Sequence, residues 1–341
     1  MTADLEPAAL ELVEGDRVEL TVGAPAHGGH CVARLGGPHG RVIFVRHALP
    51  GETVTAEITE LHKGFLRADA VEIHTPSVDR VSPPCPYAHP GGCGGCDLQH
   101  VAGSAQLRWK EAIVAEQLRR LAGVTHAVRV EALPTAADGS GQLVGRLLGW
   151  RSRVRYAVDA TGRAGLLQHR SNQVVPIDRC RIAHPAIQEL DLLARIWDEA
   201  GAIEAVATTG GDVAVLTRPT GRGAVPTDDP TEASPAFPRR LSGPDEVVEV
   251  AGGRRWRVPP EAFWQVHPAA ASTLVDAVLE LLEPAPGEIC WDLYGGAGLF
   301  AGALAERTGA AVTLVESSPV GAAAARANLD GLPVEVVEAR V

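Results

Sequence analysis

The sequence predicts a multidomain protein in which an all-β domain precedes α/β domains. Short segments rich in Val and Ile fill residues 15–73, and the C-terminal part alternates strand, glycine turn, helix, strand, helix and strand. Three cysteines share one loop between these parts, and an Arg-rich hairpin follows. We expect a β-barrel at residues 8–74, a central α+β region at 75–258, and the start of a parallel α/β domain at 259–341.

The N-terminal region contains five segments that alternate apolar and polar residues, as strands with one buried face do. They are DRVELTVG, GHCVARLG, GRVIFVRHALPGE, TVTAEITEL and FLRADAVEI. Five short strands at this spacing predict a small closed barrel of the oligonucleotide-binding type. Barrels of this size often bind oligonucleotides on one face, although the fold alone does not prove that function.

The composition favours a folded protein of a reducing compartment. The 341 residues are 45% apolar, and the chain shows neither a basic and apolar leader nor an apolar run long enough to span a bilayer. We therefore expect a cytoplasmic monomer that does not bind a membrane. In that compartment six cysteines indicate metal binding or redox chemistry before disulfides.

The charge of the chain restricts how it could bind nucleic acid. A net charge of -11 argues against coating nucleic acid through bulk electrostatics. The average hides a gradient, because residues 101–184 hold 13 Arg and Lys against 6 Asp and Glu. From charge alone, an ordinary solvated surface and a track for RNA are equally compatible with this excess.

The central region begins with a predicted helix, SAQLRWKEAIVAEQLRRLAG, which Ser104 caps and Gly123 ends. Its expected apolar stripe comprises Leu107, Val114, Leu118 and Leu121. A hairpin follows with its turn at residues 160–163. Two stretches, 134–145 and 216–240, are rich in Gly, Pro and small polar residues and predict flexible loops.

The motif DLYGGAGLF predicts a ligand-binding turn between a strand and a helix. It puts Asp292 at the end of the strand and Gly295, Gly296 and Gly298 in the turn, where the absence of Cβ lets a ligand approach the backbone. Glu316 ends the next strand, where its carboxylate can accept hydrogen bonds from both hydroxyls of a ribose. The pattern indicates an adenosine-containing cofactor. A strict G-x-G-x-x-G, the motif of dinucleotide-binding folds, is absent. Its absence makes a dinucleotide less favoured than S-adenosylmethionine but does not decide between the two.

Clustered cysteines in PPCPYAHPGGCGGC predict a metal site. The three thiols are Cys85, Cys93 and Cys96. Cys180 lies beside a predicted turn from which it could fold back as a fourth ligand. Four thiolates suit tetrahedral zinc or an iron-sulfur cluster, and the spacing does not distinguish the two. His89 and His100 keep a zinc site with three cysteines and one histidine possible.

The order of these features resembles the S-adenosylmethionine-dependent RNA uridine C5-methyltransferases that carry an N-terminal TRAM domain and a four-iron four-sulfur cluster. The resemblance runs through nearly the whole chain and is most specific in the cysteine loop, which ends CGGCDLQH, and in DLYGGAG. A helix with Gln106 and Lys110, the motif FWQVH and the motif VESS also match. The resemblance implies an N-terminal TRAM barrel and a C-terminal Rossmann-like domain that binds S-adenosylmethionine.

The resemblance also implies roles for individual residues. Cys85, Cys93, Cys96 and Cys180 would bind the four-iron four-sulfur cluster, with zinc as the alternative. Gln265 and Tyr294 would contact S-adenosylmethionine together with Glu316 and the glycine turn at Asp292. Arg151, Arg153 and Arg155, which alternate along the hairpin, would contact RNA phosphates. The chain departs from the family at His267 and Leu299, where Asn is frequent.

In the family that the chain resembles, a cysteine thiolate adds to C6 of uracil so that C5 can attack the methyl group. The target base must leave its stack first, in ribosomal or transfer RNA. The nucleophilic cysteine, its Asp-Pro-Pro segment and the general base of the family lie beyond the position of Val341, so we expect a truncated, incompletely predicted or degenerate relative. The alternatives are a non-catalytic RNA-binding iron-sulfur protein and a zinc-containing dinucleotide oxidoreductase.

Overall fold

A computed structural model describes residues 12–134, 147–219 and 238–341. The chain divides into two compact units. The first comprises the described part of Met1–Ala132 with Gln168–Ser171, and the second the described parts of Leu133–Leu167 and Asn172–Val341. The division into three domains stays a prediction. Most of the two predicted loops, residues 134–145 and 216–240, lies outside the described residues.

The first unit is built on one six-stranded sheet. Its strands are β1 (Arg17–Thr21), β2 (Pro25–Ala26), β3 (His30–Leu35), β4 (Arg41–Arg46), β5 (Thr53–Leu61) and β6 (Phe65–Thr75), in the order β1-β5-β6-β4-β3-β2. The segment after β1 also bonds to β3, because the Gly23 N–H donates to the Val32 carbonyl at 2.8 Å and the Val32 N–H donates to the Ala24 carbonyl at 2.9 Å. The predicted closed barrel is confirmed, with its five predicted strands at β1 and β3–β6.

The buried Glu52 fixes the chain that leaves the barrel. Its carboxylate accepts hydrogen bonds from Nε and Nη2 of Arg80, each at 2.6 Å, and from the N–H groups of Leu49 at 2.8 Å and Ser77 at 3.0 Å. Burial by itself raises the pKa of Glu52, but these hydrogen bonds outweigh it and lower the pKa overall. The pair holds the segment at residues 77–80, from which the cysteine loop starts.

Helix α1 (Gly103–Ala122) follows the cysteine loop and ends at Gly123, as predicted. Its buried residues are Gly103, Ala105 and Trp109, and the last two join the barrel core. The predicted stripe is wrong, because Val114 is 43% and Leu121 is 81% exposed. The Ser104 cap is also wrong, since Ala102 occupies the cap position and no side chain caps the helix. The helix packs through its first two turns, so apolar spacing in its second half does not mark a buried face.

The second unit begins with another six-stranded sheet. Its strands are β7 (Arg153–Val158), β8 (Ala164–Leu167), β9 (Val174–Pro176), β10 (Ala200–Ala207), β11 (Val213–Pro219) and β12 (Arg239–Ser242), in the order β12-β11-β10-β7-β8-β9. The short helix α2 (Pro185–Gln188) lies between β9 and β10, and β13 (Val247–Ala251) pairs with β14 (Arg254–Val258). The predicted hairpin is β7–β8, whose turn closes when the Asp159 N–H donates to the Arg163 carbonyl at 3.0 Å.

The C-terminal part of the second unit is a parallel α/β layer. Its elements are α3 (Ala270–Leu282), β15 (Cys290–Leu293), α4 (Leu299–Thr308), β16 (Val312–Glu316), α5 (Pro319–Asn328) and β17 (Val334–Glu338). The strands run parallel in the order β15-β16-β17, which confirms the predicted alternation of strands and helices. Within the three described ranges, no helix combines the length and the apolar character needed to cross a bilayer.

Candidate functional site

The turn between β15 and α4, Tyr294–Gly298, brings backbone into an open position. Gly295 is the point of closest packing, because a Cβ there would lie 2.4 Å from Cγ of Leu314. Gly298 precedes α4 with a φ of 95°, which is readily available only to glycine. A Cβ built on Gly296 would meet no atom within 4 Å, so the space beside this residue is open. Below, "glycine turn" denotes these five residues, which form a cradle that a small ligand can enter.

Glu316, at the end of β16, holds the glycine turn in place. Its Oε2 accepts the Gly296 N–H at 2.8 Å, and its Oε1 accepts the Ser318 N–H at 2.6 Å. A carboxylate has about four lone-pair sites, so both oxygens keep capacity for further donors such as ribose hydroxyls. The predicted pairing of the glycine turn with a strand-end acid is therefore present in the fold, and the acid also shapes the turn.

Asp292 lies beneath the glycine turn. The residue is 7% exposed, and its Oδ2 accepts the Ala301 N–H in the first turn of α4 at 2.9 Å. Burial raises the pKa of Asp292, the Ala301 N–H opposes this shift, and the charge of Glu316 adds to it. The hydrogen bond joins the end of β15 to the start of α4, so Asp292 sets the geometry of the turn.

Gln265 lies in the loop between β14 and α3, where it is half-buried. Its neighbour Trp264 packs in the same apolar core as Ala297 and Leu299, which ties this loop to the glycine turn. Leu299, where the resemblance leads one to expect Asn, is 8% exposed and serves that core. His267 accepts the Ala269 N–H through Nδ1 at 3.2 Å and so supports the start of α3.

Tyr294 stands at the outer side of the glycine turn. It has a φ of 63°, a left-handed conformation that is uncommon outside glycine and costs of order 1–3 kcal/mol. Its side chain is 73% exposed beside the open cradle. A strained and exposed aromatic residue at this point is suited to cover a ligand in the turn.

The cysteine loop, Cys85–Cys96, is shaped by hydrogen bonds of its backbone. The Cys85 N–H donates to Oε1 of Gln99 at 3.1 Å, and the Cys93 N–H donates to the Tyr87 carbonyl at 2.9 Å. Sγ of Cys93 accepts the Gly95 N–H at 3.4 Å, a contact that in metal sites tunes a thiolate ligand. All three cysteines of the loop are partly exposed.

The described residues contain no group of three Cys, His, Asp or Glu side chains gathered closely enough to bind a metal. Cys180, the predicted fourth ligand, is buried in the second unit between β9 and α2. Nδ1 of His89 is hydrogen-bonded to the Pro90 carbonyl at 2.7 Å, and the buried His100 lies 3.5 Å from the Ala48 carbonyl through Nε2. Neither histidine is gathered with the cysteines, and the three thiols of the loop suit zinc and an iron-sulfur cluster alike.

The three arginines of the hairpin differ from one another. Arg153 is enclosed: its side chain is 11% exposed, and it pairs with the buried Glu249 at 3.2 Å. It also donates to the carbonyls of Pro260 at 3.0 Å and Ala262 at 2.9 Å. The side chain of Arg155 is 62% exposed. These contacts show that Arg153 lies in the interior of the second unit, where it is not available to RNA. Of the three arginines, only Arg151 and Arg155 remain candidates for RNA contacts.

Sequence reasoning missed a polar cavity in the first unit, lined in part by His30, Arg46 and Arg67 on neighbouring strands. His30 and Arg46 are direct partners in the β3–β4 register, so they lie on the same face of the sheet. The sequence did contain one indication of this cavity, because Arg46 interrupts the apolar run VIFVRHAL. Arg46 is only 6% exposed.

Comparisons with known proteins show what the chain is similar to. Residues 11–71 match the TRAM domain family. An uncharacterized RNA methyltransferase of Streptomyces avermitilis is 47% identical over 329 residues, which cover 92% of this chain and 76% of the relative. The 23S rRNA (uracil(1939)-C(5))-methyltransferase RlmD of Halomonas elongata is 32% identical over 349 residues, with coverage of 92% and 69%.

One solved structure shares the fold over most of the chain. The tRNA (uracil-54, C5)-methyltransferase of Pyrococcus abyssi, in complex with S-adenosyl-L-homocysteine, superposes with a TM-score of 0.64 at 20% identity. The match covers 93% of this chain and 79% of that one. At this identity the likeness shows a common architecture.

The contrast between Arg153 and Arg155 can be tested by substitution. Arg153→Met should lower the free energy of unfolding by about 3 kcal/mol, because it leaves the buried carboxylate of Glu249 without its charge partner. Arg155→Met, the matched control on the same strand, should change it by less than about 0.5 kcal/mol. Urea denaturation followed by circular dichroism measures both. Equal stability of the two variants would contradict the structural assignment of Arg153.

Proposed function

The chain belongs to the RNA methyltransferase family that these relatives define, and from this premise we propose that it methylates C5 of uridine in ribosomal RNA with S-adenosylmethionine. The observation that carries the proposal is the glycine turn, which has open space beside Gly296 and a hydrogen bond to the acid at the end of the next strand. The ribosomal substrate is favoured because the relative that matches at 32% identity is named for 23S rRNA. The N-terminal TRAM barrel is consistent with an RNA substrate.

The proposed cofactor site consists of the glycine turn and its neighbours. Gly296 lets the cofactor contact backbone, Gly295 and Gly298 let the turn pack closely against Leu314 and Leu329, and Glu316 accepts hydrogen bonds from the ribose hydroxyls of the cofactor. Gln265 and Tyr294 would contact the cofactor, while Asp292 keeps the turn in position through its hydrogen bond to the start of α4. When bound, S-adenosylmethionine supplies an electrophilic methyl group on its sulfonium sulfur.

The fit of this site rests on two features of the chain itself. The space beside Gly296 is open, so no side chain has to move for a ligand to reach the backbone. Glu316 is already held by two backbone N–H groups, so its carboxylate is oriented before a ligand arrives. Such pre-organisation reduces the entropy that binding costs.

RNA binding in the second unit is assigned to Arg151 and Arg155. Arg155 lies 3.6 Å from Glu204, which Arg218 binds more closely at 2.7 Å, so the guanidinium of Arg155 keeps donors for a phosphate. Nε of Arg151 donates to the Arg153 carbonyl at 3.2 Å, which holds its side chain beside β7. Phosphate contacts of this kind fix the register of the RNA and carry no sequence information.

The cysteine loop is proposed to hold a four-iron four-sulfur cluster through Cys85, Cys93, Cys96 and Cys180. The proposal rests on the donor set, on the N–H donated to the sulfur of Cys93, and on the family resemblance. A cluster there would cross-link a loop rich in glycine and proline that has little apolar surface of its own. Methyl transfer requires no electron from it.

No nucleophile or general base is assigned among the described residues. Cys31 is fully buried, and burial raises the pKa of its thiol, so the nucleophilic thiolate is disfavoured there. The remaining cysteines of the first unit belong to the proposed cluster set. The roles given to the described residues are to bind and orient the cofactor and the RNA.

The function itself is tested in the host cell. Deleting the gene should remove one 5-methyluridine from 23S rRNA, and mass spectrometry of nuclease digests would show the loss. A plasmid copy of the gene should restore the modification. Retention of every 5-methyluridine, or loss of a methyl group from a different atom, would contradict the proposal.

The cofactor site is tested at Glu316. Glu316→Gln should weaken S-adenosylhomocysteine binding about tenfold or more, because hydrogen bonds to a charged acceptor contribute about 1.5–3 kcal/mol. Calorimetric titration of the purified chain measures the affinity. Glu338→Gln is the matched control, since Glu338 is the direct partner of Glu316 in the β16–β17 register and is ion-paired with Arg326 at 3.5 Å. Equal affinities in the two variants would count against the assigned site.

The cluster is tested at Cys93. In protein purified without oxygen, Cys93→Ser should lose iron, acid-labile sulfide and the broad visible absorbance of iron-sulfur ligation, and its RNA affinity should fall with them. Cys290→Ser, which changes a thiol on β15, should keep all of these properties. Unchanged iron content in Cys93→Ser would remove the ligand assignment, and stoichiometric zinc in the wild type would replace the cluster by the zinc alternative.

A further inference from the structure

The first unit contains a cavity of about 250 Å³ whose lining is unusually rich in basic nitrogen. Its basic residues include His30, Arg46, Arg67, His169 and Arg170, all within the first unit. At about 30 Å³ per water, the cavity has room for roughly eight water molecules, which is slightly below the usual size of a small-molecule pocket. It could admit one compact polar group.

Unsatisfied nitrogen atoms are concentrated around this cavity. In the described part of the chain, six buried side-chain nitrogens have no hydrogen-bond partner. Four of the six belong to residues of the cavity lining: Nε of Arg46, Nε of Arg67, Nε2 of His30 and Nε2 of His169. Each unsatisfied buried group costs about 1–3 kcal/mol, so such a concentration indicates a site that a ligand completes.

The fold holds these nitrogens in place through their other contacts. Arg46 is 6% exposed and donates from Nη2 to Asp97 at 2.9 Å. Its Nε–H has no hydrogen-bond partner. His30 is 5% exposed, and one ring N–H donates to the backbone of His27. Burial lowers the pKa of His30 to about 4, so at neutral pH the ring is uncharged and its Nε2 is an acceptor. The rings of His30 and His169 meet edge to face with 6.0 Å between their centroids. His30 and Arg46 are therefore buried and held in place, while Arg67 and His169 are partly exposed.

The chemistry of these donors selects the ligand. An arginine Nε–H can only donate, so the ligand must offer acceptor atoms to Arg46 and Arg67. Nε2 of the neutral His30 ring can only accept, so the ligand should also carry a hydroxyl or another donor. Two carboxylates also line the cavity, but Glu60 is turned to His62 at 2.9 Å and to Arg67 at 3.4 Å. Burial raises the pKa of Asp69, an effect that Arg46 opposes and Glu57 reinforces, so its negative charge is disfavoured. A phosphate group with its attached ribose meets these requirements, since arginine binds the phosphate oxygens with short and charge-assisted hydrogen bonds.

We propose that this cavity binds a phosphate group of the RNA backbone through Arg46 and Arg67, with Nε2 of His30 as the acceptor for a hydroxyl of the attached ribose and His169 lining the site. The inference rests on the proposed function and deepens it, because it names where the first unit holds the RNA. The cavity admits one phosphate with part of its sugar, so it fixes the register of the strand and does not read bases. A phosphodiester inside RNA and a free phosphomonoester share this chemistry, and the experiment separates them.

The main variants are Arg67→Gln and His30→Leu, and Arg34→Gln is the matched control. Arg34 belongs to the same barrel, is exposed and does not line the cavity. Fluorescence anisotropy of the full chain with a labelled single-stranded RNA that has a 5′-hydroxyl gives the affinity at several salt concentrations. Arg67→Gln should weaken binding about tenfold and reduce the slope of log K against log salt by about 0.7, the value for one phosphate contact on a single strand. The control should match the wild type.

His30→Leu separates a ligand role from a structural one. Removing an unsatisfied buried nitrogen should leave the melting temperature unchanged or raise it, whereas the RNA affinity should fall severalfold. Wild-type RNA affinity in both Arg67→Gln and His30→Leu would overturn the RNA assignment. If uridine 5′-monophosphate or inorganic phosphate stabilises the wild type but not these variants in thermal melts, the ligand is a phosphomonoester.

Two further outcomes keep this inference distinct from the proposed function. If the wild type does not bind the RNA at all, the proposed function fails and the phosphate site in RNA fails with it. If the wild type binds RNA and S-adenosylhomocysteine, and both cavity variants bind these two ligands with wild-type affinity, only the phosphate site is overturned.

Discussion

The carboxylate of Glu316 is the constraint on which the candidate cofactor site depends. A strand-to-helix turn leaves backbone N–H groups without partners. The Glu316 carboxylate accepts one such N–H from Gly296 in the glycine turn and another from Ser318 at the start of α5. Asp292 accepts an N–H from the first turn of α4, so it joins the strand before the glycine turn to the helix after it. Gly296 leaves open space beside the backbone, while Gly295 and Gly298 allow the turn to pack against Leu314 and Leu329.

The charge of the chain shows why local geometry matters more than net charge for RNA recognition. The chain carries an overall charge of -11. Several of its arginines are partly or wholly buried, so their roles depend on their local partners. Arg80 is committed to Glu52 and Arg153 to Glu249, and both pairs serve the fold. Arg46 also has an acidic partner, Asp97, but keeps an unsatisfied Nε. A few oriented cations can hold a phosphate backbone at fixed points, which bulk charge cannot do.

Local patterns in the sequence predicted the strands and the glycine turn, because alternation and turn chemistry are properties of neighbouring residues. They did not predict the packing of α1, whose buried face is set by the barrel against Ala105 and Trp109. The alternation also led to the expectation that Arg153 contacts RNA together with Arg151 and Arg155. That expectation did not account for the acidic partner of Arg153, which the local pattern does not show. That partner, Glu249, is 96 residues away in the chain. The cavity was missed for the same reason, because His30, Arg67 and His169 meet only after the strands have folded.

The cysteine loop carries thiols of the proposed cluster and also forms part of the wall of the polar cavity. Gly91, Gly92 and Cys93 belong to the lining of the polar cavity, so the conformation of the loop sets one wall of it. The loop is held mainly by backbone hydrogen bonds, such as that from Cys93 to Tyr87, and it contributes few buried apolar side chains. A segment of this kind gains little hydrophobic energy to offset the entropy of ordering it. A cross-link through its thiols would supply the missing constraint, and an ordered loop would in turn keep the cavity closed around a phosphate. The cysteines would then act on RNA binding through the shape of a neighbouring pocket, without any contact with the reacting base.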